Sequence, residues 1–129
     1  MKSLVSAIVT SYNHADYIVQ RMESLATQTY DNIEIIVVDD NSKDNSVEVL
    51  KSLKNRINFR LIILESNVGY AQACNIGVSA SQGEYIIFAE SDDYSDVNQI
   101  KKLKHKADEC KAGVVFSASN VVDGLGRKF

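Results

Sequence analysis

The chain has 129 residues, of which 45% are hydrophobic and 24% are charged, with a formal net charge of −3 at pH 7. This length and apolar content predict one globular domain with its own core, and no apolar stretch is long enough to cross a bilayer. The negative balance argues against nucleic acid as a partner, because binding a phosphate backbone needs a basic surface.

Five short runs rich in β-branched residues alternate with segments of helical periodicity. In chain order the runs are LVSAIVT, IEIIVVD, FRLIILE, EYIIFAE and GVVFSAS. The helical segments carry apolar stripes at Ile18, Met22 and Leu25, at Val47, Leu50 and Leu53, and at Ile100, Leu103, Ala107 and Cys110. The order β-α-β-α-β-α-β-α-β predicts an α/β fold, a mostly parallel sheet flanked by helices on both faces.

The two ends of the chain differ in character. The opening MKSLVSAIVTSYNH predicts a first strand, since polar residues interrupt its apolar run and no cleavage site of a signal peptide follows. The ending NVVDGLGRKF predicts a hairpin turn with Asp123 before a glycine. We expect residues 1–129 to form a single unit, typical of a fragment of a longer protein.

The cysteines and the basic residues give weaker signals. Cys74 and Cys110 are too few for a disulfide framework, which predicts buried free thiols and a cytoplasmic location. The run KKLKHK predicts the solvated face of a helix, with an anionic membrane surface as the alternative partner. His14 and His105 are interpreted as solvated.

Polar side chains follow each of the first four predicted strands. They are Thr10-Ser11-Tyr12-Asn13, Asp39-Asp40-Asn41-Ser42, Ser66-Asn67-Val68-Gly69 and Glu90-Ser91-Asp92-Asp93. The carboxyl ends of parallel strands meet at one edge of a sheet, where ligands bind. We therefore expect the two acidic clusters to lie at neighbouring strand ends. Asn67 and Gly69 are interpreted as turn residues, and Asp39-Asp40 alone would be interpreted as a helix cap.

Carboxylates crowded at one edge raise each other's pKa unless a cation lies among them, so this arrangement either costs stability or holds a cation. Mg²⁺ and Mn²⁺ take one or two protein carboxylates and complete their coordination with water and substrate phosphates. A Tyr ring can stack on a base, Asp or Thr can hydrogen-bond its edge, and helix N-termini can meet phosphate oxygens. The pattern predicts a metal-bound nucleotide at the strand ends.

Three segments together resemble a known family. They are VTSYNHADYIVQRMESLATQTYDNIEIIVVDDNSKDNS, NVGYAQACNIGVSASQGEYIIF and ESDD, the last being similar to a metal-binding DxD motif. The chain resembles the nucleotide-binding half of family 2 glycosyltransferases, which are inverting enzymes with the GT-A fold. The resemblance covers essentially the whole chain.

The resemblance implies roles for individual residues. Thr10 and Tyr12 would line the base pocket, Asp40 would hydrogen-bond the base, and Ser91 would also contact the nucleotide. Asp92 would hold Mn²⁺ or Mg²⁺ on the diphosphate. Glu90 and Asp93 would lie beside the metal and support its binding without coordinating it directly.

The same resemblance implies a reaction and its partners. The donor would be a nucleotide-diphosphate sugar, by family preference a UDP-sugar. The acceptor would be a hydroxyl of a saccharide, a lipid-linked molecule or a protein, such as a growing cell-surface polysaccharide. The parent protein would work in the cytoplasm, with peripheral association at the inner face of the membrane left open. Its general base is expected in a C-terminal acceptor-binding part outside this chain.

Glu90 and Cys74 depart from the family pattern in ways that keep other classes open. Glu90 stands where the first Asp of DxD is usual, and Cys74 stands where an Arg is common, so a thiol replaces a group that could neutralise phosphate. A non-catalytic nucleotide-binding or scaffold module is therefore an alternative. A phosphoacceptor receiver domain would need an acidic pair after the first strand, and a dinucleotide fold would need G-x-G-x-x-G there. The chain has TSYNH at that place.

Overall fold

The computed structural model of the protein describes residues 2–128, and in this range strands and helices alternate. The elements are β1 (Val5–Ser11), α1 (Ala15–Ala26), β2 (Ile33–Asp39), α2 (Ser46–Leu53), β3 (Arg60–Ile63), α3 (Tyr70–Ala80), β4 (Tyr85–Phe88) and α4 (Gln99–Cys110). The sheet has the strand order β3-β2-β1-β4, and every pairing in it is parallel. The predicted α/β class with a parallel sheet is confirmed.

Hydrophobic residues cover both faces of this sheet. Val9 of β1 belongs to a large buried cluster that includes Ile18 of α1, Leu50 of α2 and Ile100 of α4. Ile8, the next residue on β1, points to the opposite face and belongs to a second cluster with residues of α3. Helices therefore flank the sheet on both faces, as predicted.

The fifth predicted strand is wrong. Residues 113–119 form no strand, and Val114 and Phe116 are 70% and 89% exposed. Strand propensity reflects how well side chains fit a pleated, half-buried surface. Within residues 2–128 these apolar side chains find no such surface, so the pattern alone does not produce a strand.

The hairpin turn predicted after this segment is present. Asp123 Oδ1 accepts hydrogen bonds from the N–H groups of Leu125 and Arg127, at 2.9 and 3.0 Å. The Asp123 N–H donates to the Arg127 carbonyl at 2.9 Å, and an antiparallel bridge joins Val122 to Lys128. Asp123 therefore acts as a turn residue.

The two cysteines lie in different environments. Cys74 is buried on α3, but Cys110 is exposed, so the expectation of two buried thiols is wrong for Cys110. Cys110 is the last residue of α4 and lies beyond Ala107, the last buried residue of that helix. The apolar spacing in the sequence therefore extends beyond the buried part of α4.

The lysine run lies on α4, and its charges are largely paired. Lys104 contacts Asp108 at 2.6 Å, Lys106 contacts Glu109 at 3.0 Å, and Lys102 contacts Asp96 at 3.4 Å. The described part of the chain, residues 2–128, includes no helix with the length and apolar character to span a membrane.

Candidate functional site

The strand order places a crevice between β1 and β4. The chain moves from β1 to β2 to β3 in one direction and then returns to the other side of β1 to form β4. In open parallel sheets, ligands bind outside the carboxyl ends of the strands at such a reversal. Thr10 at the end of β1 and the loops after β1 and β4 flank this crevice, and the loops carry Tyr12 and Glu90-Ser91-Asp92-Asp93.

The two acidic clusters are not at neighbouring strand ends, contrary to the expectation. Since β1 lies between β2 and β4, their ends are separated by two strand spacings, about 10 Å. A long connection through α3 moves β4 to the far side of β1. The alternation of elements in the sequence does not reveal this order.

The carboxylates at the end of β2 face the interior. Asp39 is fully buried and accepts hydrogen bonds from the Ser42 N–H at 2.9 Å and from the Ser42 hydroxyl at 2.7 Å. Asp40 is 4% exposed and accepts hydrogen bonds from the Val68 N–H at 2.7 Å and the Gly69 N–H at 2.9 Å. Both side chains hold loops in place through hydrogen bonds from donors of the protein itself.

Asp40 joins the end of β2 to the start of α3. Gly69 has φ of 87°, a conformation that favours glycine, and it directly precedes α3. Asn67 adds a hydrogen bond from its amide to the Asp40 carbonyl at 3.2 Å. The interpretation of Asn67 and Gly69 as structural residues agrees with these contacts. The two N–H groups before this helix meet a carboxylate of the protein itself.

The loops after β1 and β2 interlock. Asn13, at φ of 55°, accepts a hydrogen bond from the Lys43 N–H at 2.7 Å and donates its own N–H to Ser42 Oγ at 3.0 Å. Asp44 accepts hydrogen bonds from the Ala15 N–H at 3.1 Å and the Ser46 N–H at 2.9 Å, and so binds the starts of α1 and α2. This network fixes the backbone beside Tyr12, which is 44% exposed, while Thr10 is half-buried.

A hydrogen bond between two side chains bridges the crevice. His14 Nδ1 lies 2.6 Å from Ser91 Oγ, and Ser91 is 1% exposed. His14 belongs to the loop after β1, and Ser91 belongs to the loop after β4. The interpretation of His14 as a solvated residue without a partner is wrong, because a contact that joins positions 77 residues apart leaves no periodic signal in the sequence.

The exposed carboxylates of the site belong to the loop after β4. Glu90, Asp92 and Asp93 are all exposed, whereas Ser91 between them is buried. An open groove of about 760 Å³ adjoins this loop; Arg21, Asp92 and Asp93 line it together with Lys102 and Lys106 of α4. A cavity of this size lies within the range of small-molecule sites.

A buried arginine lies behind this loop. Arg21 of α1 is 4% exposed, and its Nε donates to the Glu90 carbonyl at 2.7 Å. Burial lowers the pKa of Arg21, and the carboxylates of Asp93, Asp92 and Glu90 act in the opposite direction. The crowded carboxylates therefore have a cation of the protein beside them.

The importance of Arg21 could have been inferred from its position in the sequence. Position 21 is three residues after Ile18 and four before Leu25, so it lies within the apolar stripe of α1. A charged residue at such a position must be paired when the helix packs.

Tyr70, at the start of α3, contacts the Glu90 side chain. Burial, then the contacts with Cys74 and Glu90, raise the pKa of the Tyr70 hydroxyl. The phenol therefore stays protonated and can donate a hydrogen bond near the Glu90 carboxylate. Cys74 is buried beside it, and neither side chain supplies the guanidinium that the family resemblance implies at position 74.

The side chains of the loop fit a divalent ion held by few protein ligands. Three carboxylates with one arginine behind them leave an excess of two negative charges. Among residues 2–128, no group of three His, Cys, Asp or Glu side chains could hold a metal ion by itself. Exposed carboxylates of this kind suit Mg²⁺ or Mn²⁺, which retain water and phosphate oxygens as ligands.

The parallel sheet, the crevice at its reversal point and the exposed acidic loop define an α/β domain with a candidate ligand site at the carboxyl ends of its strands. Comparison with known proteins gives the family: the profile of glycosyl transferase family 2 matches residues 6–128. The chain belongs to glycosyl transferase family 2, as the sequence resemblance indicated.

Individual relatives agree with this assignment. Glycosyltransferase GlyG of Streptococcus pneumoniae serotype 4 is 42% identical over 117 residues, which are 90% of this chain and 39% of GlyG. The Escherichia coli protein WfaP, a UDP-Glc:alpha-D-GlcNAc-diphosphoundecaprenol beta-1,3-glucosyltransferase, is 39% identical over 91% of this chain and 45% of WfaP. The chain thus spans less than half the length of these relatives.

A solved structure confirms the fold. The crystal structure of Staphylococcus aureus TarS 1-349 in complex with UDP-GlcNAc superposes with a TM-score of 0.77 at 26% identity. The match covers 93% of this chain and 38% of that one. The GT-A fold implied by the resemblance is therefore confirmed.

Proposed function

We propose that this chain is the donor-binding part of an inverting glycosyltransferase and that it binds a UDP-sugar together with Mn²⁺ or Mg²⁺. The observation that carries the proposal is the crevice between β1 and β4, which is flanked by the exposed carboxylates of the loop after β4. Family membership and the UDP-sugars named for WfaP and TarS support it.

The nucleotide would lie across the loop after β1. Tyr12 is exposed and can stack on the base, and Thr10 is half-exposed at the end of β1. Asp40 is 4% exposed and both of its oxygens accept backbone N–H groups, so it would act on the base by holding the loop before α3 in place. Ser91 would act through its bond to His14, which holds the two loops together.

The diphosphate would lie near Asp92. Asp92 would bind the metal, while Glu90 and Asp93 would accept hydrogen bonds from its water ligands. A divalent ion bound there would neutralise the charge that grows on the departing nucleoside diphosphate. Tyr70 can donate a hydrogen bond to the same region, in part replacing the absent arginine at position 74. The general base is assigned to the remainder of the parent protein.

We infer a hydroxyl acceptor at a membrane-facing step of cell-surface polysaccharide synthesis. WfaP acts on a diphosphoundecaprenol-linked sugar, and TarS acts on poly(ribitol-phosphate). A lipid-linked acceptor would place the parent protein in the cytoplasm at the inner membrane face. Lys101 of α4 is exposed and could contact anionic headgroups.

Calorimetric titration of UDP tests the donor site. We expect UDP to bind with Mn²⁺ and to bind about ten- to hundredfold more weakly in EDTA, the factor that matches about 1.5–3 kcal/mol for contacts with a charged group. Asp92→Asn should remove the metal-dependent part of the affinity. Asp31→Asn, which neutralises an exposed carboxylate just before β2, is the matched control and should change nothing.

The alternative is a scaffold module that has lost donor binding. Two departures from the family pattern favour it. Cys74 stands in place of an arginine that would pair with the diphosphate, and Glu90 puts a longer side chain at the first acidic position of the metal-binding loop. Absence of UDP binding in both Mn²⁺ and EDTA would support the scaffold. Equal affinity in both conditions would contradict the metal at Asp92.

A further inference from the structure

A polar stripe runs along one face of α1. Arg21, Ser24 and Gln28 are spaced by three and four residues, so their side chains lie on the same side of the helix and its C-terminal end. All three contact residues 90–100, the segment that carries Asp92 and leads into α4. The acidic loop, residues 90–95, therefore packs against this stripe.

Arg21 binds both ends of the acidic loop. Its Nε donates to the Glu90 carbonyl at 2.7 Å, and its Nη1 donates to Ser95 Oγ at 2.7 Å. The Ser95 N–H in turn donates to Ser24 Oγ at 3.1 Å. One planar guanidinium therefore spans the loop from residue 90 to residue 95, a geometry that a lysine ammonium cannot reproduce.

Gln28 continues the attachment. Its Nε2 donates to the Asp96 carbonyl at 2.7 Å, and its Oε1 accepts the Ile100 N–H at 3.0 Å. The segment after residue 95 thus keeps its position without Arg21. The contribution of Arg21 is confined to the short stretch that includes Asp92.

The charge of Arg21 is matched to this stretch. A guanidinium that is 4% exposed needs partners for its charge, and Glu90, Asp92 and Asp93 are the carboxylates that act on it. These carboxylates are themselves exposed. Arg21 therefore offsets part of their mutual repulsion from the buried side and leaves their solvent side free.

We propose that Arg21 is a positioning residue for the donor site: it fixes the backbone of residues 90–95 so that the Asp92 carboxylate is already in place before cation and diphosphate arrive. The inference rests on the proposed function. It assigns Arg21 no contact with the nucleotide, because its two hydrogen bonds go to the loop and its side chain is buried.

Arg21→Lys tests this role, because it keeps the positive charge and removes the planar guanidinium that donates to both Glu90 and Ser95. We expect the affinity for UDP in the presence of Mn²⁺ to fall about tenfold, the effect of one lost hydrogen bond to a charged group. Affinity in EDTA should stay within about twofold, because the loop after β1 is untouched. The matched control is Arg56→Lys. Arg56 is an exposed arginine that pairs with Glu23 on α1, the helix that carries Arg21, and its substitution should change neither affinity.

Hydrogen exchange of the free protein supplies a readout that needs no ligand. The Asp93 N–H donates to the Glu90 carbonyl at 3.2 Å, and the Ser95 N–H donates to Ser24. Both amides should exchange faster in Arg21→Lys, while amides of β1 keep their wild-type protection. If Arg21→Lys does not fold, Ser95→Ala removes one of the two contacts and should give a smaller change of the same kind.

The outcomes separate the two proposals. Absence of Mn²⁺-dependent UDP binding in the wild type would refute the proposed function, and the exchange rates would still show whether Arg21 holds the loop. Wild-type exchange of the Asp93 and Ser95 amides in Arg21→Lys would overturn the inference. An equal loss of UDP affinity in Mn²⁺ and in EDTA would also overturn it, because that result indicates a general effect on folding.

Discussion

Asp40→Asn tests whether the carboxylate after β2 is a structural link to α3. The two oxygens of Asp40 accept the Val68 and Gly69 N–H groups at 2.7 and 2.9 Å, and the side chain is 4% exposed. An asparagine presents one oxygen and one NH₂ group. One backbone N–H would keep an acceptor, and the other would face a second donor.

The magnitude follows from these two contacts. A hydrogen bond to a charged group contributes about 1.5–3 kcal/mol, and the bond that remains weakens because its acceptor becomes neutral. We expect Asp40→Asn to lower the free energy of unfolding by about 2–4 kcal/mol. This is a large share of the total stability of a domain, which is typically about 5–15 kcal/mol.

Urea denaturation followed by circular dichroism measures this change. Asp31→Asn is the matched control, since Asp31 is an exposed carboxylate that pairs with Lys2 at 2.9 Å and its substitution should leave the urea midpoint close to the wild-type value. A stability of Asp40→Asn within about 0.5 kcal/mol of the wild type would refute the structural link. Asp40 would then be free for a role at the base alone.

Three further predictions concern packing, acid stability and thiol exposure. Gly77→Ala should cost about 1–3 kcal/mol in thermal unfolding, because the added methyl would collide with Ile8; an unchanged midpoint would contradict this packing. Burial raises the pKa of Asp44, but hydrogen bonds from the starts of α1 and α2 outweigh burial, so the pKa is lowered. The stabilisation that Asp44 contributes is therefore present above a pH of about 4 and is lost as the pH falls further. Asp44→Asn should flatten the pH dependence of the urea midpoint there; a wild-type acid profile would argue against it. Ellman's reagent should label Cys110 in the native protein and Cys74 only after unfolding, and two fast thiols would show that α3 is loosely packed.

The elements were predictable where local pattern and burial agree. The first four strands and the stripes of α1 and α2 follow from β-branched runs and from the spacing of Ile18, Met22 and Leu25, all of which are buried. GVVFSAS has the same composition as a strand but no surface to pack on within the described residues. Cys110 fits the stripe of α4 but lies past its buried part.

The candidate site was predictable only as a set of loops. Glu90 and Asp92 were expected at a strand end and are exposed there, and their roles in binding stay predictions. Asp39 and Asp40 occupy the expected strand end, but backbone and hydroxyl donors from nearby loops turn them inward. No spacing rule indicates which of two acidic clusters faces solvent, because that depends on which loops fold over each strand end.

The sequence by itself determined the alternation of elements, the parallel α/β class and the family, because periodicity, turn residues and motifs are local properties. Only the tertiary structure decided the strand order, the crevice between β1 and β4 and the partners of the charged residues. Arg21 meets Glu90 and His14 meets Ser91 across 69 and 77 residues. Such pairs form because burial forces each polar group to find a partner wherever the fold brings one.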